Sequence, residues 1–218
     1  LAKARAEDIL TALPYNNYTI VRPYISYAEE RLQLGVFEKE YWLRRALLGK
    51  KIIITNSIAE SYTTLTFAGD VAKGICALIE CKSAYGQVIQ IMQNNPVKWK
   101  EVIDVYRDVI KEKRGLDVSV IYVTEEEFFY CYPNVFPIIY DRKYNRIFDN
   151  KNISKYVDTS KFQKPLFGLR KCISEFLDGG KEKHPFLPFD YTMDSRIDEV
   201  VRRYEINNCK NKDKLGYS

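Results

Sequence analysis

Hydrophobic and polar positions along the 218-residue chain follow two periods, one typical of helices and the other of strands. Apolar residues three to four positions apart predict amphipathic helices, and short runs rich in β-branched residues predict strands. The predicted helices cover residues 1–13, 34–48, 71–79, 99–113 and 165–177, and a short acidic helix begins at residue 125. The predicted strands cover residues 18–21, 51–55, 62–67, 86–92 and 118–123. Strands and helices that alternate at these lengths indicate an α/β protein.

Local signals mark where several of these elements begin and end. Pro14 stops the first helix, Arg22-Pro23 closes the first strand, and Gly49 follows the second helix as a C-terminal cap. Asp70 directly precedes the helix predicted from Val71, and its carboxylate can accept the free backbone N–H groups at that end. Helix capping is therefore a sufficient explanation for Asp70.

Two later regions carry unusual composition. The aromatic stretch Phe128–Tyr130, with Phe136-Pro137, could stack on a ligand, but buried packing is the commoner use of such residues and is what we expect. Residues 141–150 predict a polar turn. Residues 179–218 are charged, with a short amphipathic stretch from Ile197 to Tyr204, and predict a partly ordered tail.

Composition argues against a nucleic-acid-binding protein and against a membrane protein. Hydrophobic residues make up 46% of the chain, which is long enough to bury a core in one large or two small domains. The net charge of +5 is spread among acidic residues, as in residues 111–114, and so favours an anionic ligand over a nucleic acid. Because no apolar run is long enough to span a bilayer and no signal peptide is evident, we expect a cytoplasmic protein that does not bind membranes.

Cysteine and histidine usage argues against a metal centre. The five cysteines lack Cys-x-x-Cys spacing and predict reduced thiols that pack as small hydrophobes. His184 is the single histidine, so a histidine-based metal site or catalytic triad within this chain is excluded.

Three motifs follow one another in a recognisable order. Lys3 and the helical residues after it come first, Thr19–Pro23 forms a strand ending in Arg-Pro, and Asp70-Val71-Ala72 starts a later helix. In this order and spacing the chain resembles the extended short-chain dehydrogenases/reductases, the NAD-dependent epimerase/dehydratase family. The strand at 86–92 is similar to the last strand of that family's cofactor domain. The segment Asp149–Ile153 with Gly168-Leu169 is similar to its C-terminal pattern, so the resemblance extends to about Leu177.

The resemblance implies the C-terminal part of a Rossmann-type, NAD(P)-binding fold with a small α/β substrate-binding subdomain. Residues 1–30 and 63–97 would belong to the cofactor domain, 31–62 and 98–178 to the substrate-binding subdomain, and 179–218 to the charged tail. The glycine fingerprint that holds the cofactor pyrophosphate is absent from this sequence. We therefore expect a C-terminal portion that begins just after the family's catalytic tyrosine and is inactive by itself.

The resemblance also assigns residues to the cofactor, NAD or NADP. Lys3 falls at the lysine of the family's Tyr-x-x-x-Lys motif, which binds the nicotinamide ribose and lowers the pKa of the tyrosine. The alternative for Lys3 is a solvated surface lysine. Pro23, Tyr24 and Ile25 would lie beside the nicotinamide, although Pro23 also serves to end the strand.

Arg142 and Arg146 fall where family members often place an arginine that grips the diphosphate of a nucleotide sugar. A planar and permanently charged guanidinium suits bidentate binding to phosphate oxygens, but two arginines in an exposed turn are an equally good explanation. The chain departs from the family at Ser61–Thr64, where many members have another arginine.

Two functions are consistent with these features. In its complete form the protein would oxidise a hydroxyl of a nucleotide sugar by hydride transfer to NAD(P), as one step of epimerisation, dehydration or reduction. The alternative is a non-catalytic module that binds nucleotide sugars or another protein. A homodimer, common in the family, is a further expectation.

Overall fold

Pairs of short strands form the framework of the chain in a computed structural model, which describes residues 2–183 and 185–215 and the side chains of 2–179 and 185–207. The strands are β1 (Ile20–Pro23), β2 (Ile25–Tyr27), β3 (Ile52–Thr55), β4 (Tyr62–Thr63), β5 (Leu65–Phe67), β6 (Val88–Ile91), β7 (Val97–Lys98) and β8 (Val120–Val123). The α-helices are α1 (Ala2–Thr11), α2 (Lys39–Leu47), α3 (Asn56–Glu60), α4 (Ala68–Leu78), α5 (Trp99–Arg114), α6 (Glu125–Cys131), α7 (Pro165–Lys183) and α8 (Tyr191–Leu215).

Parallel pairing dominates the sheet framework. β1 pairs with β6, β2 with β5, and β3 with β8, all in parallel, whereas β4 and β7 are antiparallel. Parallel strands need a crossover between them, and helices such as α2, α4 and α5 lie in those crossovers. The α/β class expected from the sequence is therefore what the chain adopts.

The buried apolar residues fall into two clusters. The larger one joins residues of β2, β3, α2, α5, α7 and α8, and includes the ring of Trp42 stacked on that of Tyr106 at 4.3 Å between centroids. The smaller one lies around α4 and β6 and consists of Val71, Leu78, Ala84, Ile89, Ile91, Ile153 and Phe162. Gly74 lets α4 approach β6, because a Cβ at this position would lie 2.7 Å from Cγ2 of Ile91. The division into cofactor and substrate-binding parts stays a prediction.

The prediction that Asp70 caps a helix is wrong. Helix α4 begins at Ala68, so Asp70 lies inside its first turn and is buried. Its Oδ2 accepts a hydrogen bond from the backbone N of Gln163 at 2.7 Å, and its Oδ1 accepts one from Nζ of Lys73 at 2.8 Å. Asp70 thus ties α4 to the segment that leads into α7, a contact between distant residues that no local pattern encodes.

The second helix is shorter than predicted. It begins at Lys39 because a tight turn precedes it, in which Leu34 and Phe37 exchange backbone hydrogen bonds of 2.8 and 2.9 Å. Gly35 makes the turn possible with a φ of +59°, a conformation that other residues seldom adopt.

The described part of segment 179–218 is more ordered than the predicted tail. The amphipathic stretch predicted at 197–204 belongs to the 25-residue helix α8. Met193, Ile197, Val200 and Val201 of this helix are buried in the larger cluster. Residues 185–190 cross α2, where the guanidinium carbon of Arg44 lies 3.7 Å from the ring centroid of Phe189. The sequence pattern found the apolar face of α8 only over residues 197–204, because charged residues that form ion pairs surround it.

Candidate functional site

Tyr24 lies directly after β1 and is half-buried. Its hydroxyl donates a hydrogen bond of 2.7 Å to Oδ1 of Asp141 and accepts one of 3.1 Å from Nη1 of Arg142. The ring of Phe148 packs on the Tyr24 ring, with 4.9 Å between centroids. The end of β1 is therefore joined to residues more than a hundred positions away in the sequence.

Arg142 is mostly buried, with 13% of its side chain exposed. Besides Tyr24, its guanidinium donates from Nε to the backbone O of Gly35 at 3.2 Å and forms an ion pair with Asp141. Its backbone O accepts a hydrogen bond of 2.6 Å from the Ser61 hydroxyl. These partners hold the Arg142 guanidinium in one position.

Arg146 is more accessible, with 34% of its side chain exposed. Its Nε donates to Oδ1 of Asp141 at 2.7 Å, and its Nη2 donates to the backbone O of Tyr140. Its own backbone N donates to the O of Tyr62 at 2.8 Å, and its O accepts from the Thr64 hydroxyl at 2.8 Å. The arginine segment is thereby anchored to residues 62–64.

Tyr24, Asp141, Arg142 and Arg146 thus form one hydrogen-bonded group, the Asp141 cluster. It holds two guanidinium groups against one carboxylate, which leaves an excess of positive charge. Because a guanidinium presents several N–H donors in a plane, an accessible one beside Asp141 can bind a second anion. The structure therefore brings together Tyr24, Arg142 and Arg146, which were predicted from separate parts of the sequence.

The remaining predicted site residues are on α1 and at the junction of β1 and β2. Lys3 is exposed on α1. One turn further along, Oε1 of Glu7 accepts a hydrogen bond of 3.0 Å from Nε of Arg22, and this bond lowers the pKa of Glu7. Pro23 is exposed at the end of β1, whereas Ile25 is buried in β2 opposite Leu65. A ligand beside β1 can reach Pro23 directly but only the backbone of Ile25.

The sequence prediction missed Asp141. A carboxylate one position before Arg142 and five before Arg146 is a local signal for a shared counter-ion, but a polar turn has the same composition. The contribution of Tyr140 through its backbone oxygen had no signal in the sequence at all.

Neither a metal centre nor a membrane span is found in the part of the chain that the structure describes. No three His, Cys, Asp or Glu residues among those described are grouped so that they could hold a metal ion. None of the described helices is both long and apolar enough to cross a bilayer.

Cysteine reactivity offers a first test of the described packing. Cys131 and Cys172 are buried, and burial raises the pKa of Cys131 to about 11 and that of Cys172 to about 12, whereas Cys76 is exposed. Because the thiolate is the reactive form, we expect iodoacetamide at neutral pH to alkylate Cys76 many times faster than Cys131 or Cys172. Peptide mapping by mass spectrometry measures the rates, with urea-unfolded protein as the control. Equal rates in the folded chain would contradict the described core.

Comparison with solved structures defines the class of fold as the NAD(P)-binding, Rossmann-type fold, as the sequence resemblance predicted. UDP-glucuronic acid 4-epimerase from Bacillus cereus, solved with UDP-glucuronic acid and NAD, matches 75% of this chain with a TM-score of 0.53 and 15% identity. RMD from Pseudomonas aeruginosa, complexed with NADPH, matches 81% with a TM-score of 0.57 and 11% identity. PbgP3 protein from Burkholderia pseudomallei matches 85% with a TM-score of 0.61 and 14% identity.

The match covers only part of these proteins. The chain accounts for 46% of the Bacillus cereus epimerase, 55% of the Pseudomonas aeruginosa protein and 54% of the Burkholderia pseudomallei protein, so it spans about half their length. No family model matches the sequence, and no curated protein is significantly similar to it. At these identities the comparison establishes the fold.

Proposed function

We propose that this chain supplies the substrate-binding side of an NAD(P)-dependent nucleotide-sugar epimerase, dehydratase or reductase. The observation that carries the proposal is the Asp141 cluster, in which Tyr24 after β1 bonds to Arg142 and to Asp141, and Asp141 in turn binds Arg146. The fold supports it, since the Bacillus cereus epimerase of the same fold is complexed with a nucleotide sugar and NAD.

On the substrate side, Arg146 binds a phosphate oxygen and Arg142 supports it. Arg146 has the more exposed guanidinium, and hydrogen bonds between ionised groups are about twice as strong as neutral ones. Asp141 keeps the two arginines apart at a fixed spacing because it accepts hydrogen bonds from both. The cluster thereby selects a ligand with negative charge at one end.

On the cofactor side, the exposed Pro23 and the backbone of Tyr24 and Ile25 border the nicotinamide. Ligands of open α/β sheets bind outside the carboxyl ends of the strands, and these residues follow or end β1. Bound NAD(P) would accept the hydride from the sugar. Lys3 donates a hydrogen bond to the nicotinamide ribose, and the pairing of Glu7 with Arg22 keeps α1 beside β1.

Binding of UDP-glucuronic acid tests the substrate side. We expect Arg146→Gln to weaken its affinity about tenfold to a hundredfold, because hydrogen bonds to charged groups contribute about 1.5–3 kcal/mol. Calorimetric titration of the purified chain measures the affinity. Arg203→Gln is the matched control, since Arg203 is an exposed arginine on α8 that pairs with Glu199. Equal affinities for both variants would refute the assignment of Arg146.

The alternative, a binding module without catalysis, predicts the same titration but no turnover. In a polypeptide that also carries a glycine-rich cofactor-binding half, Lys3→Met should abolish the nucleotide-sugar-dependent absorbance change of the nicotinamide and leave UDP-glucuronic acid binding intact. Binding without any absorbance change in the unaltered protein would favour the module. A cytoplasmic location and a homodimer stay predictions.

A further inference from the structure

A pocket lies between α2 and the segment that leads into α8, and it shares no described lining residue with the Asp141 cluster. This segment, residues 185–190, is called the connecting segment. The pocket has a volume of about 470 Å³, within the range of about 300–1,000 Å³ that is usual for small-molecule sites. The described residues that line it are Arg44, Leu47, Leu48, Pro185 and Phe186. It is therefore a separate candidate site, walled by apolar side chains and one arginine.

The connecting segment is held on α2 through its backbone. The backbone N of Leu187 donates a hydrogen bond to Oε1 of Glu40 at 3.3 Å, and the backbone N of Asp190 donates one to the hydroxyl of Tyr41 at 3.4 Å. Phe186, in the pocket wall, packs against the larger apolar cluster. Contacts within the chain thus fix the walls of the pocket, which lowers the entropic cost of binding a ligand.

Arg44 is half-buried in the wall of this pocket. Its guanidinium carbon lies 3.7 Å from the ring centroid of Phe189, so one face of the guanidinium is covered. Among the described residues, Arg44 has neither a hydrogen-bond acceptor nor a carboxylate partner for its guanidinium. The other described arginines that are buried or half-buried each donate hydrogen bonds within the chain; they are Arg45, Arg142, Arg146 and Arg196.

The N–H groups of Arg44 are suited to an anion from outside the chain. A guanidinium carries its donors in the plane of the group, so a ring stacked on its face leaves them open. A cation that is partly withdrawn from water without a partner costs free energy, which an ion pair offsets. Because none of the described lining residues is acidic, the charge of the pocket selects an anion.

We propose that this pocket binds an aliphatic carboxylate, whose carboxylate group pairs with Arg44 and whose hydrocarbon chain contacts Leu47 and Leu48. Guanidinium and carboxylate groups form paired, charge-assisted hydrogen bonds. Removal of the hydrocarbon chain from water against the apolar wall adds a hydrophobic contribution. Such a ligand is neither a nucleotide sugar nor NAD(P), so the site goes beyond the proposed function.

Octanoate and octanol, which differ only in the head group, test the pairing with Arg44. We expect the unaltered chain to bind octanoate about tenfold more tightly than octanol, because hydrogen bonds between ionised groups are about twice as strong as neutral ones. Arg44→Gln should remove this difference by weakening octanoate binding about tenfold. Calorimetric titration of the purified chain measures both affinities. Arg107→Gln is the matched control, since Arg107 is an exposed arginine on α5 outside the pocket.

Leu48 tests the apolar wall of the pocket. Leu48→Ser should weaken the binding of octanoate and of octanol alike, each by about fourfold, the effect of losing contact with about one buried methylene group. Ile79→Ser is the matched control, because Ile79 is 64% exposed at the end of α4 and Leu48 is 65% exposed. The control should change neither affinity.

Several results would overturn the proposal. They are the lack of saturable octanoate binding, equal affinities of the unaltered chain for octanoate and octanol, and unchanged octanoate affinity in Arg44→Gln. Equal weakening by Leu48→Ser and Ile79→Ser would show nonspecific adsorption instead of a pocket. If Leu48→Ser converts a dimer to a monomer in sedimentation velocity, a second copy of the chain covers the pocket and the proposal is wrong. Arg44→Gln should leave the affinity for UDP-glucuronic acid unchanged, and circular dichroism of each variant verifies the fold.

Discussion

Arg45→Ala is expected to lower the free energy of unfolding by about 3–5 kcal/mol, the usual cost of removing one partner of a buried ion pair. The Arg45 side chain is 4% exposed and lies between α2 and α8. Its Nε donates to the backbone O of Lys51 at 3.0 Å, its Nη2 donates to Oδ1 of Asp198 at 2.7 Å, and it also pairs with Asp194. Without it, the two α8 carboxylates lose their buried counter-charge and keep only Lys50, which is 37% exposed.

Urea unfolding followed by the fluorescence of the two buried tryptophans, Trp42 and Trp99, measures this effect. The matched control is Lys50→Ala, because Lys50 pairs with the same two aspartates but is 37% exposed, and exposed pairs contribute about 0–1 kcal/mol. Similar decreases in the free energy of unfolding of the two variants would show that the burial of Arg45 does not determine how strongly it holds α8 to α2.

The pH dependence of the free energy of unfolding provides a second test of the ion pair between Arg45 and Asp198. Burial raises the pKa of Asp198, but hydrogen bonds from Lys50 and Arg45 outweigh it and leave the pKa below its ordinary value. Because its pKa is lower in the folded state, ionised Asp198 stabilises the fold. This stabilisation is fully present above the unfolded pKa of about 3.9 and is lost as the pH falls through the folded pKa. In the Arg45→Ala variant, the free energy of unfolding should therefore fall less steeply with decreasing pH below about pH 4.

Gly168→Ala is expected to destabilise the chain by about 1–3 kcal/mol or more, because it overpacks a closed site. A Cβ at this position would lie 2.0 Å from the hydroxyl oxygen of Tyr27 and 2.8 Å from its Cζ. Tyr27 is buried in β2, so its ring cannot swing out to solvent. Helix α7 can approach β2 at this point only because residue 168 has no side chain.

A double-mutant cycle tests this explanation. The Tyr27 hydroxyl is buried and has no hydrogen-bond partner among the described residues, so Tyr27→Phe by itself should change stability little. Combined with Gly168→Ala it should recover part of the lost stability, because the nearest clash is removed while Cζ remains close. Additive effects in urea unfolding would contradict a direct collision between the two residues.

Elements with a strong period were predicted well because one side of each is buried. Helix α5 was expected at 99–113 and spans Trp99–Arg114, and its apolar face from Val102 to Ile110 lies in the core. Strand β6 was expected at 86–92 and spans Val88–Ile91. The order of motifs around Pro23 and Asp70 then pointed to the Rossmann-type fold, which the solved structures share.

Features that depend on distant partners could not be predicted in this way. Asp70 has the spacing of a helix cap, yet its partner is the backbone of Gln163. The apolar residues of α8 are diluted by charges whose counter-ions, such as Arg45, come from α2. Phe128 and Phe136 are identical in kind, and only the tertiary structure buries one and exposes the other.

The parallel pairing of β1 with β6 has a consequence for how the chain folds. Ile20 aligns with Val88, and Ile52 of β3 likewise aligns with Val120, so each pair must close a long loop before its hydrogen bonds form. Structures rich in such distant contacts fold slowly. During synthesis, β1 cannot pair with β6 until the segment through Ile91 has left the ribosome. Until then the apolar residues of β1 can bind chaperones or other nascent chains.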